Sequence, residues 1–399
     1  MNLFQRLLIA PASLGLLSPM SVIANEIDIN AVSNYSSSEE VKSISEFLPK
    51  LAVTSSRIDG LETRINDFEA GRFSETTTAS FSANFALGAV DGLGITTTDK
   101  DNGTQAVAAA YDFVVDLQTS FTGEDSLEIS LVAGNVAAAP LSELDLESTT
   151  DALNVDGVSY SFPIGDKVSA FVGVQGTDGS SAFTTACTYG GPSNTLDDCG
   201  TVNANFENMS GSSLGASYAF NDEVSVAIGY AGNGVDANKG LMSSEGLDAV
   251  GVNASYIKDK YGASVTYSTS ETASTKGLNT YGDASIAFNG YFSPEGGFPS
   301  ISAGYEFTDV GGAATTVDEK TSWFIGLQFD EIGPGSGGIA VGTQGSITEG
   351  SDEALMYEAY YSYPVNDGMT VTPLVYAKEK TSSTDVDETG VMVKTSFSF

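Results

Sequence analysis

Carboxylates recur between large apolar side chains, a spacing that points to electrostatics rather than to bond-making. Asp112 and Asp116 stand among Tyr111, Phe113, Val115 and Leu117. Glu128, Asp283, Glu306 and Glu358 are also flanked by apolar residues. Side chains alternate across an extended chain with period two, so these acids would share one face and their neighbours the other. Lys394 is a basic residue in the same kind of position, and Lys378 is another. The chain has no histidine. Ser-His-Asp and Cys-His nucleophiles are therefore impossible, as is histidine-ligated zinc. Scattered carboxylates are the wrong pattern for acid-pair hydrolysis. No enzyme, no metal site and no cofactor are expected. Cys187 and Cys199, the two cysteines, lie in a segment rich in Gly, Ser, Asn and Asp. In an exported chain such a pair most simply forms one disulfide. Lys and Arg total 16 against 52 Asp and Glu, which excludes nucleic acid as a general partner, since that needs basic patches.

The elements that must position these acids are strands. After the first 25 residues no run approaches the roughly 18 apolar residues of a spanning helix. If the chain crosses a membrane, it must do so as a closed barrel. From about Ser74 one pattern repeats: a strand end, a tight polar turn and a strand start, as in Tyr218-Ala219-Phe220-Asn221-Asp222-Glu223-Val224. Similar turns follow Tyr160 and Tyr361, and related ones lie at 121–126, 258–262, 293–299 and 329–335. Longer polar segments separate them, near 90–104, 139–153, 177–208, 234–245, 272–281, 308–318, 347–353 and 379–387. Seven short turns and eight long loops make fifteen connections and hence sixteen strands. Leu214, Ala216, Tyr218 and Phe220 alternate with Ser213, Gly215, Ser217 and Ala219; Trp323, Ile325, Leu327 and Phe329 alternate with Ser322, Phe324, Gly326 and Gln328. A soluble sandwich would alternate similarly, but it would not need aromatic flanks at turn after turn. Sixteen strands leave room for a wet channel, whereas eight would fill with side chains. The fold class is thus all-β, a transmembrane antiparallel barrel of about 16 strands preceded by a short coiled-coil helix.

The N-terminal part reads in three pieces. Residues 1–24 have the charge, apolar core and small residues of a signal peptide. Residues 25–40 form a polar leader. Residues 41–72 carry a heptad pattern. Within it two windows repeat one template: Arg57, Ile58, Leu61 and Glu62, then Arg64, Ile65, Phe68 and Glu69. This resembles the trimerisation signature of short parallel coiled coils. Residues 73–399 are the barrel.

The final strand places Val391, Val393, Thr395, Phe397 and Phe399 on one face. It resembles the closing strand of bacterial outer-membrane barrels. The run Ser36–Val41, the window Arg57–Glu62 and the pair Phe73-Ser74 resemble the start of cyanobacterial outer-membrane porins related to the carbohydrate-selective porins. These resemblances imply a cell outer-membrane location, lipid around the barrel and insertion by the barrel assembly machinery through Phe399; the coiled-coil signature implies a homotrimer, the alternative being a single amphipathic helix that plugs or flanks the barrel. The family also carries a surface-layer-homology domain that binds the cell wall. Here 44–49 is too short for one, so the wall tether is not carried over.

On this reading Asp112, Asp116, Glu128, Asp283, Glu306, Glu358 and Lys394 line the pore, because a charge facing lipid would cost about 2–4 kcal/mol at mid-membrane. The third long loop would carry Asp178, Asp197, Asp198 and Glu207, stiffened by Cys187–Cys199. It either folds inward to narrow the pore or lies over its mouth. The expected function is passive diffusion of small hydrophilic solutes, with cations preferred. No arginine follows Arg72, which argues against a phosphate pore. Alternatives are a pore for inorganic ions such as iron, and a structural barrel with a blocked lumen.

Overall fold

A computed structural model describes residues 77–93, 106–136, 141–206, 211–232, 240–243, 246–272, 280–311, 318–381 and 385–399. The signal peptide, the leader, the heptad segment with its eight trimerisation residues, and Glu207 lie outside these.

The strands are β1 (Thr77–Asp91), β2 (Ala108–Thr119), β3 (Ser126–Gly134), β4 (Asn154–Ile164), β5 (Val168–Thr177), β6 (Gly211–Ala219), β7 (Val224–Gly232), β8 (Asp248–Ile257), β9 (Tyr261–Thr272), β10 (Thr280–Phe292), β11 (Ser300–Asp309), β12 (Glu319–Ile332), β13 (Gly335–Thr343), β14 (Ile347–Thr348), β15 (Leu355–Asn366), β16 (Met369–Lys378) and β17 (Glu388–Ser398). Each long strand pairs antiparallel with its sequence neighbours. The two-residue β14 only extends the edge of β12, which leaves sixteen strands around the wall. The sheet closes on itself where β1 meets β17, from Ser82↔Ser398 to Asp91↔Thr389. Closure leaves no unpaired edge, the one way a sheet can stand in lipid. The only described helical turn is a short 3-10 turn at Gly179–Ala182.

The short turns are built by side-chain oxygens. Asp125 accepts hydrogen bonds from the Phe121 and Thr122 N–H groups and from the Ser120, Thr122 and Tyr160 hydroxyls. The Tyr160 bond, with those from the turn, holds its carboxyl well below the usual carboxylate range. Asn221 likewise receives the N–H groups of Glu223 and Val224, each at 2.9 Å. Rings cluster at this end of the barrel: Tyr160 with Phe162 at 5.4 Å, Tyr218 with Phe220 at 4.9 Å. Amphipathic and aromatic rings favour a membrane–water boundary.

The two faces of the wall differ sharply. Phe85, Val174, Ile228, Phe288 and Ile339 stand on the outside with more than half their surface free. Such a belt is stable against hydrocarbon and costly in water. The inside carries Ser, Thr, Asn, Gly and the carboxylates.

Candidate functional site

Register places the charged residues on one face. Asp112 lies opposite Asn84 and Gly134, Asp116 opposite Ser80 and Ser130, and Glu128 opposite Gln118 and Ser159. Asp283 faces Ser270, Glu306 faces Ala287 and Ser322, Glu358 faces Ala340 and Tyr376, and Lys394 faces Ala86 and Thr372. All seven share the interior face, because their ladder partners share it around the closed sheet.

The interior is not an open tube. The 178–206 segment touches that same face on strand after strand, and in a closed cylinder only the lumen permits this. The N–H groups of Thr184, Ala186 and Thr188 donate to Asn253 Oδ1 on β8, Ser264 Oγ on β9 and Ser302 Oγ on β11. Asn289 on β10 donates to the Cys199 carbonyl at 3.0 Å, and Ser322 on β12 to the Gly200 carbonyl at 2.9 Å. Tyr189 donates its hydroxyl to Glu358 on β15 and packs on Phe324, with ring centroids 5.2 Å apart. The third long loop therefore lies against the inner wall from β8 to β15. The Cys187–Cys199 disulfide closes its central turn.

A second segment, 141–150, enters beside it. Leu144 and Ser193 form an antiparallel bridge between the two loops, and Asn194 N–H donates to the Glu143 carbonyl at 2.9 Å. Glu143 also accepts the Thr195 hydroxyl and pairs with Lys378 of β16. Leu141, Leu144 and Leu196 are each 2% exposed, and they join Phe324, Met356, Leu374 and Met392 of the wall in one apolar core. Burying a leucine is worth about 1.5–3 kcal/mol, so these residues supply a driving force for inward folding that polar loops lack.

Burial divides the seven charges. Glu306, Glu358 and Asp112 are 1%, 2% and 3% exposed. They hold the loops rather than meet water. Glu306 accepts four bonds from Asn203 and Ala204 of the third loop. Asp112 accepts the Glu147 N–H at 3.0 Å and the Asn84 side chain at 2.8 Å. Asp116 and Glu128 keep partial exposure and bond only Ser130 and Gln118 of the wall. Asp283 and Lys394 are also partly exposed.

The loop acids divide too. Asp178 sits at the loop entry, and burial beside Asp156 raises its carboxyl. Asp197 is exposed on the loop surface, yet enclosure by the surrounding lumen, then Asp145 and Glu143, push it up to about 6. The Asp198 carbonyl receives the Thr201 N–H at 3.0 Å within the turn. Asp156, unmarked in the sequence, joins the interior acids because a register shift between β3 and β4 falls beside it.

Two wall glycines show how closely the loop is seated. A Cβ at Gly229 would lie 1.8 Å from the Gly179 carbonyl, and one at Gly304 1.8 Å from the Cys199 carbonyl. Only glycine permits that approach. The signal is visible in sequence as glycine at interior-parity positions, but its meaning is not.

A sixteen-stranded closed barrel with an apolar outside and a third loop folded inward defines the porin-type fold. No family model matches the chain. It aligns at 24% identity over 414 residues with an uncharacterized protein of Nostoc sp. (strain PCC 7120 / SAG 25.82 / UTEX 2576), covering 89% of this chain and 71% of that protein. The high-pH structure of Pseudomonas putida OprB superposes with a TM-score of 0.61 at 10% identity, covering 86% of this chain and 97% of OprB. A Vibrio cholerae OmpT lacking loop L8 gives 0.53 at 10% identity, with 82% and 100% covered. A mutant Rhodopseudomonas blastica porin gives 0.50 at 12%, with 81% and 100% covered. At these identities the likeness is one of fold.

Proposed function

We propose that the chain is a passive diffusion channel of the outer membrane for small hydrophilic solutes, with a preference for cations. The observation that carries this reading is the charge of the uncovered lumen wall. Asp116, Glu128 and Asp156 stand on it and Asp178 stands at the loop entry, with no arginine among the described residues. Of the lysines on the interior face by register, Lys378 is taken up by Glu143, while Lys394 stands partly exposed beside Ala86 and Thr372 and is outnumbered by these carboxylates. Carboxylates lining a narrow passage concentrate cations and repel anions. Reversal potentials in planar bilayers under a salt gradient test it: a cation-selective sign is expected, and anion preference overturns it.

A homotrimer belongs to the same proposal, through the coiled coil at 41–72 and its Arg57 and Arg64 windows, as does insertion by the assembly machinery that reads the Phe399 strand. Cross-linking of the detergent-extracted protein with and without 41–72 tests the trimer.

A second reading has a specific observation in its favour. The apolar core between the two loops and the β12–β17 wall fills part of the lumen, as a structural barrel with a blocked lumen would require. Conductance separates the two, since a blocked barrel passes almost no current.

A further inference from the structure

The outer wall has a hollow in it. Across β6–β9 its apolar side chains enclose about 520 Å³, lined by Ala216, Tyr218, Ile228, Val252, Ala254 and Tyr267 among others. The alanines give it depth: Ala216 stands between Ala170 and Ile228 across the ladder, and Ala254 between Val226 and Val265. Short side chains are set there among long ones, and Ile228 keeps 54% of its surface free. The hollow lies at the short-turn end of the barrel, because Tyr218 and Val226 flank the turn between β6 and β7. Outer-membrane barrels keep their short turns on the periplasmic side, so the hollow opens into the periplasmic leaflet. Lysines stand at its mouth. Lys167 Nζ lies 5.8 Å from the Tyr218 ring centre and donates to the Phe220 carbonyl at 3.0 Å. Lys258 Nζ lies 5.5 Å from the Tyr256 ring centre and 3.0 Å from Glu223 Oε1. Both rings share the outward face with Val226 and Val224, so the two ammonium groups are held at the lipid boundary. The turn between them is tied to both sides: the Ala219 N–H donates to the Lys167 carbonyl and the Ile257 N–H to the Glu223 carbonyl, each at 2.8 Å. The short turns at 121–125, 293–299, 330–334 and 366–368 contain acids and no lysine.

We propose that this sector of the outer wall binds one anionic glycerophospholipid with a polyol head: an acyl chain in the hollow, the phosphate between Lys167 and Lys258, and the head hydroxyls on the carboxylates of Asp222 and Glu223. Charge and donor complementarity choose that occupant. Ammonium groups bind phosphate as point charges, and the acids in the intervening turn accept hydroxyls. Glu223 holds Lys258 at the boundary without using all three of its donors. Selectivity comes from the head, since the hollow exchanges hydrocarbon for hydrocarbon and offers an acyl chain only closer packing. The inference rests on the proposed outer-membrane location and not on conduction.

Native mass spectrometry of the full-length protein in detergent reads the site, with dioleoyl phosphatidylglycerol and dioleoyl phosphatidylcholine added in turn. Phosphatidylglycerol should be retained under collisional activation that strips phosphatidylcholine. Lys167→Ala with Lys258→Ala should cut its retention about tenfold, the effect of losing one hydrogen bond to a charged group, and leave phosphatidylcholine unchanged. Ala216→Trp fills the hollow and should also lower retention. Ala359→Trp is the comparison. It fills a second apolar hollow, of about 590 Å³, lined by Ile325, Ile339 and Tyr357 among others, whose short turns lack lysine, and retention should not change. Heat-modifiable gel mobility identifies the closed barrels among the variants. Phosphatidylglycerol retention that survives loss of both lysines overturns the site. Dissociation of cross-linked oligomers by Ala216→Trp, with lipid retention unaltered, assigns the hollow to a second copy of the chain and also overturns it. Failure of the protein to insert into lipid bilayers overturns the location and the site together, whereas insertion with equal retention of the two lipids overturns the site alone.

Discussion

Glu306 and Asn203, 103 residues apart in sequence, are joined by three hydrogen bonds: the Asn203 N–H reaches Oε1 at 3.0 Å and Oε2 at 2.9 Å, and its side-chain amide reaches Oε1 at 2.7 Å. The Ala204 N–H adds a fourth at 2.8 Å. A wall carboxylate thus takes the place of water for the last part of the third loop. Glu306→Ala strands buried donors, each costing about 1–3 kcal/mol. The loop should undock near Asn203 while the barrel stays closed. Amide hydrogen exchange reads this directly: protection at Asn203 and Ala204 is lost and that of β10 and β11 is kept. Glu306→Gln, with one acceptor oxygen, should fall between.

Lys378 and Glu143 form an ion pair with side chains 17% and 10% exposed. Removing one partner leaves a charge in low dielectric. Lys378→Met should therefore destabilise the docked loops by roughly 3–5 kcal/mol. The double variant Lys378→Met, Glu143→Gln should recover most of that loss, since the stranded charge is gone. Limited proteolysis of 141–206 across the four-member cycle measures the coupling.

Asp197 gives the loops a pH dependence whose sign follows from its surroundings. Its side chain is exposed on the loop surface, but enclosure within the lumen, then Asp145 and Glu143, raise its carboxyl from 3.8 to about 6. The docked state therefore holds a proton that the released state gives up. Its contribution to docking is full below about pH 3.8 and is lost as pH rises through about 6. Loop protection should be greater at pH 4.5 than at pH 7.5. Asp197→Asn should flatten that step and tighten the loop at neutral pH. A hydrogen-exchange profile that falls with acidification in this window would falsify the assignment.

Gly229 and Gly304 are the seats of the third loop. A methyl group at either position meets a backbone carbonyl of the loop at 1.8 Å, and backbone cannot move aside as a flexible side chain can. Gly304→Ala should dislodge the turn at Cys199, expose the disulfide to reductant and leave the β11 ladder intact. The rate of reduction by a mild thiol is the measurement. A rate equal to that of the unaltered protein would mean that the loop shifts without releasing its hold.

Much of the fold is legible in the residues themselves. Alternation along strands such as Leu214–Phe220 and Trp323–Phe329 has a strict period of two, so each strand announces its oily and wet faces without reference to any other. Turn formers such as Asn221, and Asp125 in its bonds to Ser120, Phe121 and Thr122, act on residues within five positions. Strand count, pairing order and the face of Asp112 or Glu358 therefore follow from local chemistry. The loops do not. Whether 178–206 lies over the mouth or inside depends on where Leu144, Leu196 and Tyr189 find apolar partners, and those partners (Phe324, Met356, Met392) come from strands scattered across the chain. The same holds for the acids. Period two puts Asp116 and Glu306 on one face alike, yet Asp116 keeps water and Glu306 is sealed under Asn203. That difference arises only when the sheet closes and brings distant segments within hydrogen-bond range, because burial belongs to the assembled lumen and not to any stretch of chain.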